Sequence, residues 1–187
     1  MTPVEDAYDL ASGADLTIAA GGRTDHFIDP ATRQRTLSAP RVLGTPVGDF
    51  RLSARVDVAF AATFDAGVLL LWADDDVWAK LCFEYSPDGQ PMVVSVVTRG
   101  VSDDANSLEV DGHRVWLRVS RSGPSFAFHA STDGDRWEFV RHFALPVDAG
   151  AVRVGFSSQS PTGAGCVTRF SKVRFETEPL ADLRDGT

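Results

Sequence analysis

One segment, GVLLLWADDDVWAKLCFEYSPDGQPMVVSVVTRG (residues 67 to 100), constrains the fold more than any other part of the chain. Three apolar-rich runs are joined by two short acidic turns, too short for anything but hairpins, so the segment is expected to form three consecutive antiparallel strands. Within WAKLCFEY the period of two places Trp78, Lys80, Cys82 and Glu84 on one face and Ala79, Leu81, Phe83 and Tyr85 on the other. The second set suits a core. The first combines an indole, an ammonium and a carboxylate, groups that are costly to bury without partners and that must meet solvent, a ligand or each other.

The same period recurs along the chain. Phe50, Leu52, Ala54, Val56, Val58 and Phe60 alternate with Arg51, Ser53, Arg55 and Asp57, as in a half-buried antiparallel strand. Val115, Leu117 and Val119 alternate with Trp116, Arg118 and Ser120. SFAFHASTDGDRWEFVRHF reads as a hairpin with Asp133-Gly134 at its turn. AVRVGFSSQS and VTRFSKVRFE read as the last two strands, and LTIAA at 16 to 20 as the first. No run carries the i, i+3, i+4 pattern of a helix. About ten to twelve strands are predicted, with turns every 8 to 12 residues, giving an all-β, two-layer antiparallel β-sandwich or jelly roll. The expected organisation is a single domain over 1–187, with an ordered core of about 16–176 and tails at 1–10 and 178–187. The Pro-rich stretch from Thr24 to Phe50 is predicted to carry short edge strands near Leu37 and Val42. A connection of that length is often functional, which singles out Asp25, His26 and Phe27.

A net charge of −8 argues against nucleic acid as a partner, because that interaction is driven by clustered Lys and Arg. No run approaches the ~20 apolar residues of a spanning helix, and no secretory signal is visible. A soluble, cytoplasmic protein without membrane contact is expected. Cys82 and Cys166 lack C-x-x-C spacing and read as small buried residues in a reducing compartment, with a disulfide as the alternative. The run Asp74, Asp75 and Asp76 lacks the spacing of a calcium loop and reads as a solvated turn, and no zinc motif, phosphate loop or nucleophile elbow occurs. No metal and no cofactor are expected.

Trp78, Lys80 and Glu84 are thus the leading candidate site, since an indole beside hydrogen-bonding groups suits the apolar face and hydroxyls of a sugar. The alternative for the same residues is a Lys80–Glu84 ion pair on a solvated face. Outward positions on other strands, Ser95 and Arg99, Trp116 and Arg118, His129, and Arg153, Ser157 and Gln159, would extend the site if they converge. Glycoside hydrolysis needs two carboxyl groups, of which Glu84 is one. Asp57, Asp65, Glu138 and Glu176 are possible second carboxylates.

The succession TDHF, GDF, FDAGVLLLW, VWAKLCFEY, VVSVVTRGVSDD and VGFSSQSPTGAG resembles, in that order and over about residues 16 to 176, the uncharacterised bacterial YesU-like family with a concanavalin A-like sandwich. That resemblance implies a jelly roll related to legume lectins and glucanases, carbohydrate handling, and a ligand on a concave sheet. The W-x-K-x-x-x-E pattern then falls on Trp78, Lys80 and Glu84. The resulting expectation is a binding domain for an oligosaccharide or other small polar ligand. Trp78 and Trp116 would stack, Lys80, Glu84, Arg99 and Gln159 would make polar contacts, and Asp25, His26, Arg118 and His129 would lie within reach. A glycoside hydrolase using Glu84 as acid or nucleophile is the alternative. A protein-interaction sandwich, including a homo-oligomer, is the third reading.

Overall fold

The structure, a computed structural model, describes residues 5–187. In chain order its strands are β1 (Glu5–Ala7), β2 (Leu16–Gly21), β3 (His26–Ile28), β4 (Arg35–Leu37), β5 (Arg41–Gly44), β6 (Phe50–Val58), β7 (Ala66–Trp72), β8 (Val77–Tyr85), β9 (Pro91–Arg99), β10 (Ser102–Glu109), β11 (Arg114–Ser122), β12 (Ser125–Ser131), β13 (Glu138–Ala144), β14 (Arg153–Gln159) and β15 (Gly165–Glu176). Among the described residues helix is limited to two three-residue 3-10 turns, Leu10–Ser12 and Ala149–Ala151. Among the described residues no helix is long and apolar enough to cross a membrane.

Seven strands form one sheet in the order β1-β5-β14-β7-β8-β9-β10, and six form the other in the order β13-β12-β11-β6-β15-β2. The chain changes sheets between β1 and β2, between β2 and β5 by way of β3 and β4, and between β5 and β6, β6 and β7, β10 and β11, β13 and β14, and β14 and β15. This weaving between layers is the jelly-roll arrangement expected from the alternation. The meander of residues 67 to 100 is the centre of the seven-stranded sheet, with Leu69 opposite Leu81 and Leu70 opposite Lys80.

Alternation decides what lies between the layers. Leu69, Leu71, Ala79, Leu81 and Phe83 from one sheet meet Leu52, Ala54, Val56, Leu117 and Phe128 from the other in one continuous core. Full burial of a side chain of this kind contributes roughly 1.5–3 kcal/mol. Gly67 lets the layers close, since a Cβ there would lie 2.5 Å from Thr168 Cγ2 and 2.6 Å from Val56 Cγ1.

The opposite face of the seven-stranded sheet is also covered. Strands β3 and β4 form a separate two-stranded hairpin, hereafter the strap, turned at Asp29, whose Oδ1 accepts the amides of Ala31 and Thr32. The strap lays Ile28, Phe27 and Leu37 over Val68, Leu70, Trp72, Trp78, Cys82, Val94 and Val96, making a second apolar cluster. It is tied by the Ile28 amide to Ser102 Oγ, by a bridge between Thr24 and Ser160, and by Arg35 to Asp76. The outer face of the six-stranded sheet is met by the last residues of the chain: His129 Nε2 lies 2.8 Å from the Leu183 carbonyl, and Arg118 donates to the Gly186 carbonyl. Both cysteines are buried and free.

Candidate functional site

Where the strap crosses the seven-stranded sheet it leaves a cavity of about 200 Å³. Pairing explains which residues reach it. Cross-strand partners share a face, so Glu84, opposite Ala66 and Met92, aligns with Gln159, and Lys80, opposite Leu70 and Val96, aligns with Asp104. Asp25 and Phe27 enter from the strap and Phe64 from the turn before β7, while Val94 and Val96 form the apolar floor.

Lys80 is almost fully buried and donates to Asp25 Oδ1 at 3.0 Å and to Gln159 Oε1 at 2.9 Å. Burial opposes its charge, but Asp25 first, then Cys82 and Glu84, outweigh it and hold the ammonium above the ordinary lysine pKa. Gln159 is fixed from the other end, its Nε2 donating to the Phe64 carbonyl at 3.4 Å. Phe64 has a left-handed backbone, φ 68°, unusual for an aromatic residue. Such strain gathers at functional sites.

Glu84 differs from its neighbours. Among the described residues no protein donor reaches either of its oxygens, although protein surrounds it on most sides. Burial pushes its pKa up to about 7; Lys80 pulls it down, while Asp25 and Asp104 push it further up. A carboxyl of this kind changes protonation near neutrality and offers both oxygens to whatever enters the cavity.

Of the ten residues picked from the sequence, four meet here: Asp25, Lys80, Glu84 and Gln159. The other six lie elsewhere. Trp78 is on the right face but wholly buried, stacked on Trp72 at 5.9 Å and roofed by His26, so it offers no surface to a sugar. His26 points into the same apolar cluster, its ring 5.2 Å from Trp72 and neither nitrogen hydrogen-bonded. Burial, then Lys80 and Arg41, hold its pKa well below the ordinary value, so it is a neutral packing residue. Arg99 pairs with Val77, on the core-facing side, and its guanidinium reaches across the rim to the Ala144 carbonyl at 2.8 Å. Ser95 faces the same way, opposite Leu81.

Trp116, Arg118 and His129 lie on the outer face of the six-stranded sheet, the far side of the molecule. There Arg118 stacks on Trp137 at 4.3 Å, and burial lowers its pKa to about 10. Burial also lowers that of His129 to about 4. Strand alternation separates inward from outward positions but gives outward residues of both sheets the same signature, although these faces point in opposite directions.

Lys80 takes Asp25 as its ion-pair partner in place of Glu84. The carboxylates beside Glu84 are Asp25 and Asp104. Asp57 is paired with Arg55 and Arg114 on the six-stranded sheet, which also carries Glu138 and Glu176. Asp65 is held by the amides of Ala61 and Ala62 and by Ser160 Oγ. Phe27, singled out with Asp25 and His26, lines the cavity, whereas sequence reasoning missed Phe64 and Asp104; continuing the period of two through the turn at Gly100 would have aligned Asp104 with Lys80. Among the described residues no cluster of His, Cys, Asp and Glu is arranged to hold a metal ion.

Fold and site together define a β-sandwich with a small polar pocket between one sheet and a strap. A family model described as "Protein of unknown function (DUF1349)" matches residues 4–178, and the chain belongs to that family. A comparison with curated proteins finds no match. Among solved structures, the chain is similar to a functionally unknown protein of Saccharomyces cerevisiae, with 25% identity, a TM-score of 0.78 and coverage of 89% of each chain. It is also similar to the GH43 protein BlXynB of Bacillus licheniformis, with 14% identity, a TM-score of 0.63 and coverage of 88% of this chain but 33% of that one. The xyloglucan-locus GH43B of Bacteroides ovatus gives 16% identity, a TM-score of 0.64, and 89% and 33% coverage. The chain therefore spans about a third of these GH43 proteins, and the likeness to them is one of fold.

Proposed function

We propose that this protein is a carbohydrate-associated binding domain whose pocket receives a single sugar residue or a polar molecule of that size. The observation that carries the reading is the Glu84 carboxyl, facing the cavity without a protein donor between two phenylalanines and an engaged Lys80. The half-buried carboxyl takes no hydrogen bond from the described protein, so its donors come from whatever occupies the cavity, water or a ligand. The cavity, about 200 Å³, is smaller than the roughly 300–1,000 Å³ of drug-sized sites, which favours one ring over an extended oligosaccharide. Phe27 and Phe64 supply the apolar surface expected of tryptophans. The resemblance to YesU-like proteins, and the GH43 proteins that share the fold, add a carbohydrate context.

Calorimetric titration with a panel of monosaccharides tests the proposal. At least one should bind, and Glu84→Gln and Lys80→Met should each weaken it. Failure of every sugar to bind the folded protein would reject the reading. A second reading, glycoside hydrolysis with Glu84 as general acid, is favoured by a pKa of about 7 and by the neighbouring Asp25 and Asp104. It requires turnover of nitrophenyl glycosides that Glu84→Gln abolishes; binding without turnover leaves the first reading standing alone.

A further inference from the structure

The hydrogen-bonding groups of the cavity are unevenly divided. Lys80 has three N–H groups, of which Asp25 and Gln159 take two. Gln159 has two, of which the Phe64 carbonyl takes one. Among the described lining side chains at most two N–H donors therefore remain. Acceptors are more numerous: both oxygens of Glu84, Oδ2 of Asp25, whose Oδ1 already accepts from Lys80 and the His26 amide, and the Asp104 carboxylate at the mouth. Charge leans the same way, with Asp25, Asp104 and the ionised form of Glu84 around one ammonium that is already paired.

We propose that the pocket prefers a small ring carrying a protonated amine, an amino sugar, over the same ring uncharged, and that it rejects rings bearing a carboxylate or phosphate. This rests on the reading of the cavity as a sugar pocket. An ammonium brings three donors and no acceptor, which complements a wall rich in acceptors, whereas a hydroxyl brings one donor and lone pairs of its own. The faces of Phe27 and Phe64 are further attractive to a cation. An anion meets repulsion from Asp25, Glu84 and Asp104, and an ammonium already occupied.

The test is calorimetry on the full chain at pH 7, comparing glucosamine, galactosamine and mannosamine with their parent hexoses, and with glucuronate and glucose 6-phosphate. A charge-assisted hydrogen bond should favour the best hexosamine over its hexose by about tenfold. The anionic sugars should bind more weakly than glucose. Glu84→Gln should bring the hexosamine-to-hexose ratio near one. If that variant fails to fold, Asp104→Asn, a change on an exposed edge strand, should still lower the ratio. Hexoses binding as tightly as hexosamines, or an anionic sugar binding best, would overturn the amine preference while leaving the sugar pocket in place. Binding of no sugar at all overturns both.

Discussion

Replacing Glu84 by Gln should make the protein more stable, and only above a definite pH. In the fold the Glu84 pKa stands at about 7 against an ordinary 4.5, chiefly because protein displaces its water. The folded protein therefore holds this proton more tightly than the unfolded chain. The stability Glu84 contributes falls as pH rises from 4.5 to 7, and the full loss is present above 7. At about 1.36 kcal/mol for each pH unit, that loss is about 3 kcal/mol, an upper value because the carboxyl keeps some contact with solvent. Glutamine has the same shape and does not titrate. Urea unfolding of both proteins at pH 4.5 and pH 8 should therefore show little difference at the first and up to about 3 kcal/mol in favour of the variant at the second. At about 2–4 °C per kcal/mol for a chain of this length, the thermal midpoints should separate by ~6–12 °C. Equal stabilities at pH 8, or a gain of the same size at both pH values, would refute the view of Glu84 as an unpaired, desolvated carboxyl.

Three further outcomes are expected. Gly67→Ala should destabilise the protein by about 1–3 kcal/mol in urea unfolding, because the added methyl would meet Thr168 and Val56 between the layers. Trp78→Ala should cost about 3–5 kcal/mol, as loss of a buried aromatic does, and the stability loss rather than a lost sugar-stacking surface should dominate. Lys80→Met should leave Asp25 and Gln159 without their shared donor, which hydrogen exchange should register as faster exchange at Ile28, an amide the strap binds to Ser102.

The fold was legible because a period of two is a geometric rule: it separated Leu81 and Phe83 from Lys80 and Glu84 correctly, and the inner faces assembled as it required. The site was legible only in part, because two outer faces share one pattern. Trp116 and Lys80 carry the same alternation and lie on opposite sides of the molecule. Trp78 could not be recognised as buried either, because what covers it is the strap, whose docking depends on long-range contacts that no local spacing records. Within that long connection Asp25, His26 and Phe27 could be singled out by position, but not sorted: Asp25 and Phe27 line the cavity, whereas His26 packs on the tryptophans.

Asp25 belongs to the strap by its backbone, whose carbonyl accepts the amides of Ser38 and Ala39, and to the pocket by its carboxylate. For the ligand proposed above, occupancy of the pocket and seating of the strap would be reciprocal: whatever factor it gains from meeting a seated strap is the factor by which it suppresses strap opening. Affinity then becomes adjustable from a distance. Arg35→Ala, which frees the strap from Asp76 without altering any group in the cavity, should weaken binding through the population of the seated form alone.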